Sequence, residues 1–243
     1  IVNIFTAFDE SSLLFYGRDG GNVSYGVSTS NTACVGSGFS AAAYSGNCLR
    51  SYRTDKNDGS SQVLMKEYGY YQPLSQSWFK NGNESSVWSS PYVTSSGDVA
   101  LDALQPMYLR DKTFAGVCGV TLLLTSLESK LKSAVNESSD LVFIIEATSY
   151  HLIAASEGVI SAGHGNGNDL NNGFANSVSN DNITSYINSV WNNSDSRVLL
   201  AMTALNETGF EDGVTIYSGG SFHTPTRYSD SHGIDWIVIV SLV

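Results

Sequence analysis

Tyr71-Gln72-Pro73-Leu74-Ser75-Gln76-Ser77-Trp78-Phe79 decides the fold of this chain, together with Trp88-Ser89-Ser90-Pro91-Tyr92-Val93 and Gly116-Val117-Cys118-Gly119-Val120-Thr121-Leu122 further on. Aromatic residues stand on both sides of a proline break. The last segment belongs to a nearly unbroken apolar strand, 114–124, whose glycine pair marks a close backbone approach. Tyr71, Trp78, Phe79, Trp88 and Tyr92 offer aromatic walls with hydroxyl and indole donors, the usual make-up of a small-molecule pocket. The same residues would equally fill the core of one sheet, and residue type alone leaves both open.

Outward from this stretch, residues 1–8 and 13–17 read as two strands joined by the turn residues Asp9-Glu10-Ser11-Ser12. A weakly structured region is expected over 22–58, and 62–71 is a helix or strand edge delivering Tyr71. Strand 99–104 precedes Pro106. A helix follows strand 114–124, with Thr125 as N-cap, Glu128 completing a capping box, and Leu127, Leu131 and Ala134 on one face. The polar break after that helix marks a domain boundary near residue 135. The second half restarts with strand 141–147 and a return at 152–158, then a Gly/Asn-rich loop over 158–182. A short helix carrying Ile183, Ile187 and Val190 and strands at 197–205, 214–220 and 235–243 complete it.

A chain of 243 residues suits one large domain or two smaller ones. Its net charge of -11, with only 12 Lys plus Arg and no basic cluster, excludes nucleic acid and anionic lipid as partners. Only 14% of residues are charged and 23 are Gly, so neutral polar groups and turns must cover the surface. That composition reads as a strand-rich extracellular protein. Sequons begin at Asn22, Asn83, Asn136, Asn182, Asn192 and Asn206. Cys34 and Cys48 lie 14 apart, a spacing a disulfide can close, with about 3 kcal/mol of stabilisation on chain-entropy grounds. Two separate thiols are the alternative. Cys118, inside an apolar strand, reads as a free thiol of the interior.

No metal, cofactor or catalytic constellation is expected. The run 163–173 has one copy of a pattern that binds calcium only when stacked. Asp55, Asn57 and Asp58 echo an EF-hand start, but Gly59 is one place early and Lys66 stands where the bidentate Glu belongs. His151, His164, His223 and His232 lack metalloprotease spacing, and no nucleophile elbow accompanies them.

The three quoted motifs together resemble the signature of the double Cache family, sensor modules built from two PAS-like sheets. The usual run there is tyrosine, Asp-Pro-Arg, any residue, Arg-Pro, Trp-Tyr. The resemblance implies an α+β fold of two PAS-like subdomains, each a central antiparallel sheet flanked by helices. It places a membrane-distal, ligand-binding subdomain at 1–135 and a membrane-proximal one at 136–243. It also implies a small-molecule-sensing ectodomain of a single- or double-pass signalling receptor, on the extracellular or periplasmic side of the plasma membrane and itself not an enzyme. The effector, a nucleotide cyclase, histidine kinase or chemotaxis module, would lie outside the chain, as would the membrane helix expected after the apolar strand 236–243. A homodimer formed through a long leading helix is usual in the family, whereas this chain begins on a strand.

The resemblance assigns the ligand site to Tyr71, Gln76, Trp78, Phe79, Tyr92, Asp102 and Thr121. In the amino-acid-binding branch, an arginine two residues before the tryptophan grips the ligand carboxylate, and an aspartate on the glycine-pair strand grips its amino group. Gln76 and Thr121 occupy those positions here. A standard amino acid held in the standard way is therefore not expected. Asp102, where Thr or Ser is usual, is a replacement acceptor for an amine if it faces inward, and a solvated strand residue if it does not. The rival class is a secreted carbohydrate-binding or adhesion β-protein, whose aromatics would lie in an exposed shallow groove.

Overall fold

Alternation of apolar residues makes the first hairpin. In β1 (Asn3–Phe8) and β2 (Leu13–Asp19), Phe5 lies opposite Phe15 and Ala7 opposite Leu13, so all four share one face. The structure, a computed structural model, describes residues 3–8, 10, 12–19, 22–28, 48–55, 58, 60–94, 98–135, 139–156, 162–166, 175–178, 183–187 and 189–243. It divides into two compact units: Ile1–Ser89 with Asp102–Leu122, and Ser90–Leu101 with Leu123–Val243. The expected boundary near residue 135 falls at the end of a helix belonging to the second unit.

Antiparallel pairing extends the hairpin through β3 (Asn22–Ser28), β4 (Cys48–Thr54) and β5 (Ser61–Tyr70). A 3-10 turn, Pro73–Ser75, and the helix α1 (Ser77–Gly82) come next. Then follow β6 (Val87–Trp88), β7 (Tyr92–Val93), β8 (Val99–Tyr108) and β9 (Phe114–Leu123). The first unit's sheet has the order β5-β4-β3-β2-β1-β9-β8-β6. Its inner face carries Phe5, Ala7, Leu13, Phe15, Leu104 and Val117, against which Phe79, Leu74, Trp78 and Tyr71 pack. β7 pairs with the start of β8 inside the second unit, Tyr92 opposite Ala100.

The glycine pair of β9 lies where backbone or rings press on the strand. Gly116 has φ +147° and a Cβ there would stand 2.1 Å from the Ala7 carbonyl oxygen; at Gly119 it would stand 2.4 Å from the Phe5 ring. The expected close approach is thus real, and it seats β9 against β1.

The second unit continues with α2 (Thr125–Ala134), β10 (Leu141–Glu146), β11 (Leu152–Ala155), β12 (Ala162–Asn166), β13 (Ala175–Val178) and β14 (Ile183–Ile187). It closes with α3 (Ser196–Thr208), β15 (Ile216–Ser218), β16 (Ser221–Ser229) and β17 (Asp235–Leu242). A five-stranded sheet of order β11-β10-β17-β16-β15 buries Leu141, Phe143, Ile145, Leu152, Ile237 and Ile239 against Val198, Ala201, Met202 and Leu205 of α3. β12, β14 and β13 form a three-stranded sheet.

Several local expectations fail for identifiable reasons. The region 22–58 contains β3 and β4, because Tyr25 and Tyr52 extend the cross-strand pairing begun by Tyr16. Residues 29–47 lie outside the described residues. Thr125 is not a cap: α2 starts on it after Leu124, whose backbone is already helical and whose amide bonds the Val99 carbonyl at 2.9 Å. The run 197–205 is helical rather than a strand. Asp195 caps α3 by accepting the Arg197 amide hydrogen bond, and Val198, Ala201, Met202 and Leu205 fall on one helical face. Ile183–Ile187 is a strand rather than a helix, as its β-branched and aromatic content favours. Parts of the expected 158–182 loop are strands β12 and β13. The rest of that loop lies outside the described residues.

Candidate ligand-binding site

The proline break shapes the segment that carries the aromatics. Pro73 opens the 3-10 turn, where the missing amide hydrogen costs nothing, and the Gln76 amide bonds the Pro73 carbonyl at 3.0 Å. The chain then enters α1, with the Lys80 amide bonded to the Gln76 carbonyl. This fold-back brings Trp78 onto Tyr71, and the indole Nε1 donates to the Tyr71 hydroxyl at 3.0 Å. Trp78 meets Phe5 edge-on at 4.9 Å between ring centroids and Phe79 at 5.8 Å. Phe79 turns further inward, 5% exposed, and meets Phe114 at 6.1 Å. It is a core residue beneath the pair.

Beside this aromatic pair the inner face of the sheet changes from apolar to polar. Thr121 of β9 lies opposite Asn3 of β1, Asn3 opposite Gly17 of β2, and Gly17 opposite Ser24 of β3. Asn3 is two residues from Phe5 on the same strand, so this row adjoins the ring on which Trp78 rests. A Cβ at Gly17 would stand 2.5 Å from Asn3 Oδ1 and 3.3 Å from Ser24 Oγ, so glycine leaves room for both side chains. Thr121 Oγ1 donates to Asp102 Oδ1 at 2.7 Å, and the two residues are 3% and 4% exposed. Ser89 fixes the Asp102 backbone from both sides: its hydroxyl accepts the Asp102 amide at 2.9 Å and its amide donates to the Asp102 carbonyl at 2.8 Å.

Asp102 therefore faces inward, on the same side as the aromatic pair. Burial pushes the Tyr71 phenol above its ordinary range; the Trp78 hydrogen bond opposes that rise and the Asp102 charge adds to it. The phenol stays neutral and accepts the indole hydrogen.

Four of the expected residues thus form two hydrogen-bonded pairs, Tyr71 with Trp78 and Asp102 with Thr121. Gln76 is occupied locally: its side-chain amide donates to the Gln72 carbonyl at 3.2 Å and the Ser75 hydroxyl at 3.4 Å. Tyr92 belongs to the second unit. Cys48 is disulfide-bonded, and Cys34, its expected partner, lies outside the described residues. Cys118 is a free thiol, partly exposed. Among the described residues no three His, Cys, Asp or Glu side chains are grouped as a metal site.

Three polar contributors escape the motif comparison. Asn3 and Ser24 join the site only through strand register, which sequence spacing does not reveal. Gln72 follows Tyr71, and its Oε1 is buried with no hydrogen-bond partner among the described residues. A side chain next to a motif tyrosine and before a proline was the available signal.

No protein-family model matches the sequence, and no curated protein matches it. Solved structures do. The ligand-binding domain of the Pseudomonas aeruginosa PAO1 amino acid chemoreceptor PctC, in complex with GABA, is 11% identical, with a TM-score of 0.51 over 99% of this chain and 73% of that one. The corresponding domain of PctB from the same organism, in complex with L-Arg, is 10% identical, with a TM-score of 0.48 over 99% of this chain and 65% of that one. That of the Pseudomonas fluorescens chemoreceptor CtaA, in complex with L-serine, is 11% identical, with a TM-score of 0.47 over 99% of this chain and 71% of that one. At such identity, likeness carries the fold and not the ligand. The chain therefore has the α+β fold of the Cache ligand-binding domains of chemoreceptors, as its motifs led one to expect.

Proposed function

We propose that this chain is the small-molecule-sensing ectodomain of a transmembrane signalling receptor, on the extracellular or periplasmic side of the plasma membrane. The observation that carries this reading is the Trp78–Tyr71 pair standing beside the buried Asp102–Thr121 pair on one face of a sensor-type sheet. An aromatic wall with a few convergent polar groups is what a small-molecule site requires. Ligand binding there would shift the population of two conformers, and the effector outside the chain would read that shift. Attachment through a membrane helix outside these residues, and a homodimer, belong to the same proposal. Among the described residues no helix is long and apolar enough to cross a membrane. The test is a thermal-shift screen against amino acids, amines, carboxylates, purines and sugars, since a ligand at 100 times its Kd stabilises by about 2.7 kcal/mol. A hit abolished by Trp78→Ala supports the proposal; hits indifferent to that substitution oppose it.

A carbohydrate-binding function has one observation in its favour. Tyr16, Tyr25 and Tyr52 stand opposite one another across three strands, on the face away from Phe15. Their rings are 5.5 and 6.0 Å apart, and Tyr16 is exposed. Glycan binding lost in Tyr25→Ala and kept in Trp78→Ala would favour that function over the sensor.

A further inference from the structure

We infer that the site takes a ligand with an uncharged carboxamide on a flat apolar ring, and that Asn3 is the residue that reads the amide. This rests on the sensor reading above and adds the chemistry of the ligand. Asn3 is half-buried on the inner face of the first unit's sheet, with Thr121 opposite it on one side and Gly17 on the other. No hydrogen bond among the described residues occupies its side-chain amide, nor the hydroxyl of half-buried Ser24. Asn3 Oδ1 and Ser24 Oγ lie 2.5 and 3.3 Å from the point where a Cβ at Gly17 would stand, so they are no further apart than two hydrogen-bond lengths. One ligand group can bridge them. An asparagine amide presents a donor and an acceptor side by side, and a second amide meets both at once.

Charge is absent where the ligand's polar end would rest. Thr121, Asn3, Gly17 and Ser24 are neutral, as are Gly119, Phe5, Phe15 and Gly26 in the adjoining row. A charged group entering here would leave water without a counter-ion, which costs far more than the same step by an amide. The first charge along the row is Arg53, opposite Ser24 and exposed. Asp102 is already engaged within the protein, by Thr121 among others, and takes no part in this subsite. The ligand's ring has its own wall. Trp78 spends its indole hydrogen on Tyr71 and meets Phe5 edge-on at 4.9 Å, which leaves aromatic carbon to face the ligand. Phe5 and Asn3 are two residues apart on β1, about 7 Å, the span of a six-membered ring with one amide substituent.

The test uses the whole 243-residue chain. Calorimetry compares benzamide with benzoate and benzylamine, which share its ring but carry a negative and a positive charge, and with N,N-dimethylbenzamide, which lacks the amide hydrogens. Benzamide is expected to bind most tightly of these. Asn3→Leu should weaken it roughly 10- to 30-fold, the loss of two neutral hydrogen bonds, and Ser24→Ala several-fold. Asn3→Asp should reverse the preference, so that benzylamine binds more tightly than benzamide, a change that a merely structural Asn3 would not produce. Gly17→Ala, which sets a methyl group 2.5 Å from Asn3 Oδ1, should weaken benzamide in the same direction as Asn3→Leu. If Asn3→Leu does not fold, Asn3→Asp and Ser24→Ala carry the test. Benzamide binding that is unchanged in the Asn3 and Ser24 variants yet lost in Trp78→Ala overturns the inference and leaves the sensor reading intact. Benzoate or benzylamine binding the wild type more tightly than benzamide overturns it as well. If none of these compounds binds, the amide inference fails outright; the broader screen then decides the sensor reading by itself.

Discussion

The Trp78 indole donates a 3.0 Å hydrogen bond to the Tyr71 hydroxyl across the turn that Pro73 opens. Tyr71→Phe keeps the ring and leaves the partly buried indole hydrogen without its acceptor. Such a loss costs about 1–3 kcal/mol. Urea unfolding of the variant should show a lowered midpoint with an unchanged slope.

Thr121→Val keeps the shape of the side chain and removes the donor that holds Asp102 Oδ1 at 2.7 Å. The buried carboxylate then loses a hydrogen bond, and a drop in stability of about 1–3 kcal/mol is expected. Asp102→Asn in the same background should recover part of it, because the neutral amide is less costly to bury. Chemical denaturation of the single and double variants measures both.

How much of this was legible beforehand depended on whether the signal was local. The alternation in β1 and β2, the apolar run of β17 and the glycines of β9 read directly, since each encodes its own pleat or contact. The Thr125 capping box misled, because the Leu124 amide is occupied by Val99, a partner distant in sequence. The expected strand at 197–205 is the helix α3, which Asp195 and Gly209 punctuate as cap and stop. For the candidate site, the motif comparison named Tyr71, Trp78, Asp102 and Thr121, which the structure joins as two hydrogen-bonded pairs. Asn3 and Ser24 were invisible because only the register of β1, β2 and β3 sets them beside Thr121.

Gly116→Ala should be among the most damaging single-methyl changes in the first unit. The new Cβ would stand 2.1 Å from the Ala7 carbonyl oxygen, and φ +147° is a conformation side chains avoid. Backbone cannot yield as a side-chain tip does, so the cost should reach about 1–3 kcal/mol or more. Thermal unfolding together with amide exchange across β1 and β9 would locate the damage.

His223 gives the second unit a pH dependence. The residue is fully buried, its Nδ1 lies 3.0 Å from Ser241 Oγ, and its Nε2 has no hydrogen-bond partner among the described residues. Burial pushes its pKa below the ordinary 6.5, with the Ser218 carbonyl opposing in part. A group whose folded pKa is depressed leaves stability whole above the unfolded value, and that stability drains away as pH falls from 6.5 through the folded pKa. Melting curves should therefore decline with acidification in that window. His223→Gln should flatten the decline, and an identical pH profile in the variant would contradict this account.

The most direct measurement of the central claim is calorimetric titration of wild-type protein and Trp78→Ala with whichever small molecule stabilises the wild type, with folding of the variant verified by circular dichroism. The account predicts saturable one-to-one binding by the wild type and its loss in the variant. Equal affinity in both proteins would contradict a ligand site built on Trp78 and Tyr71.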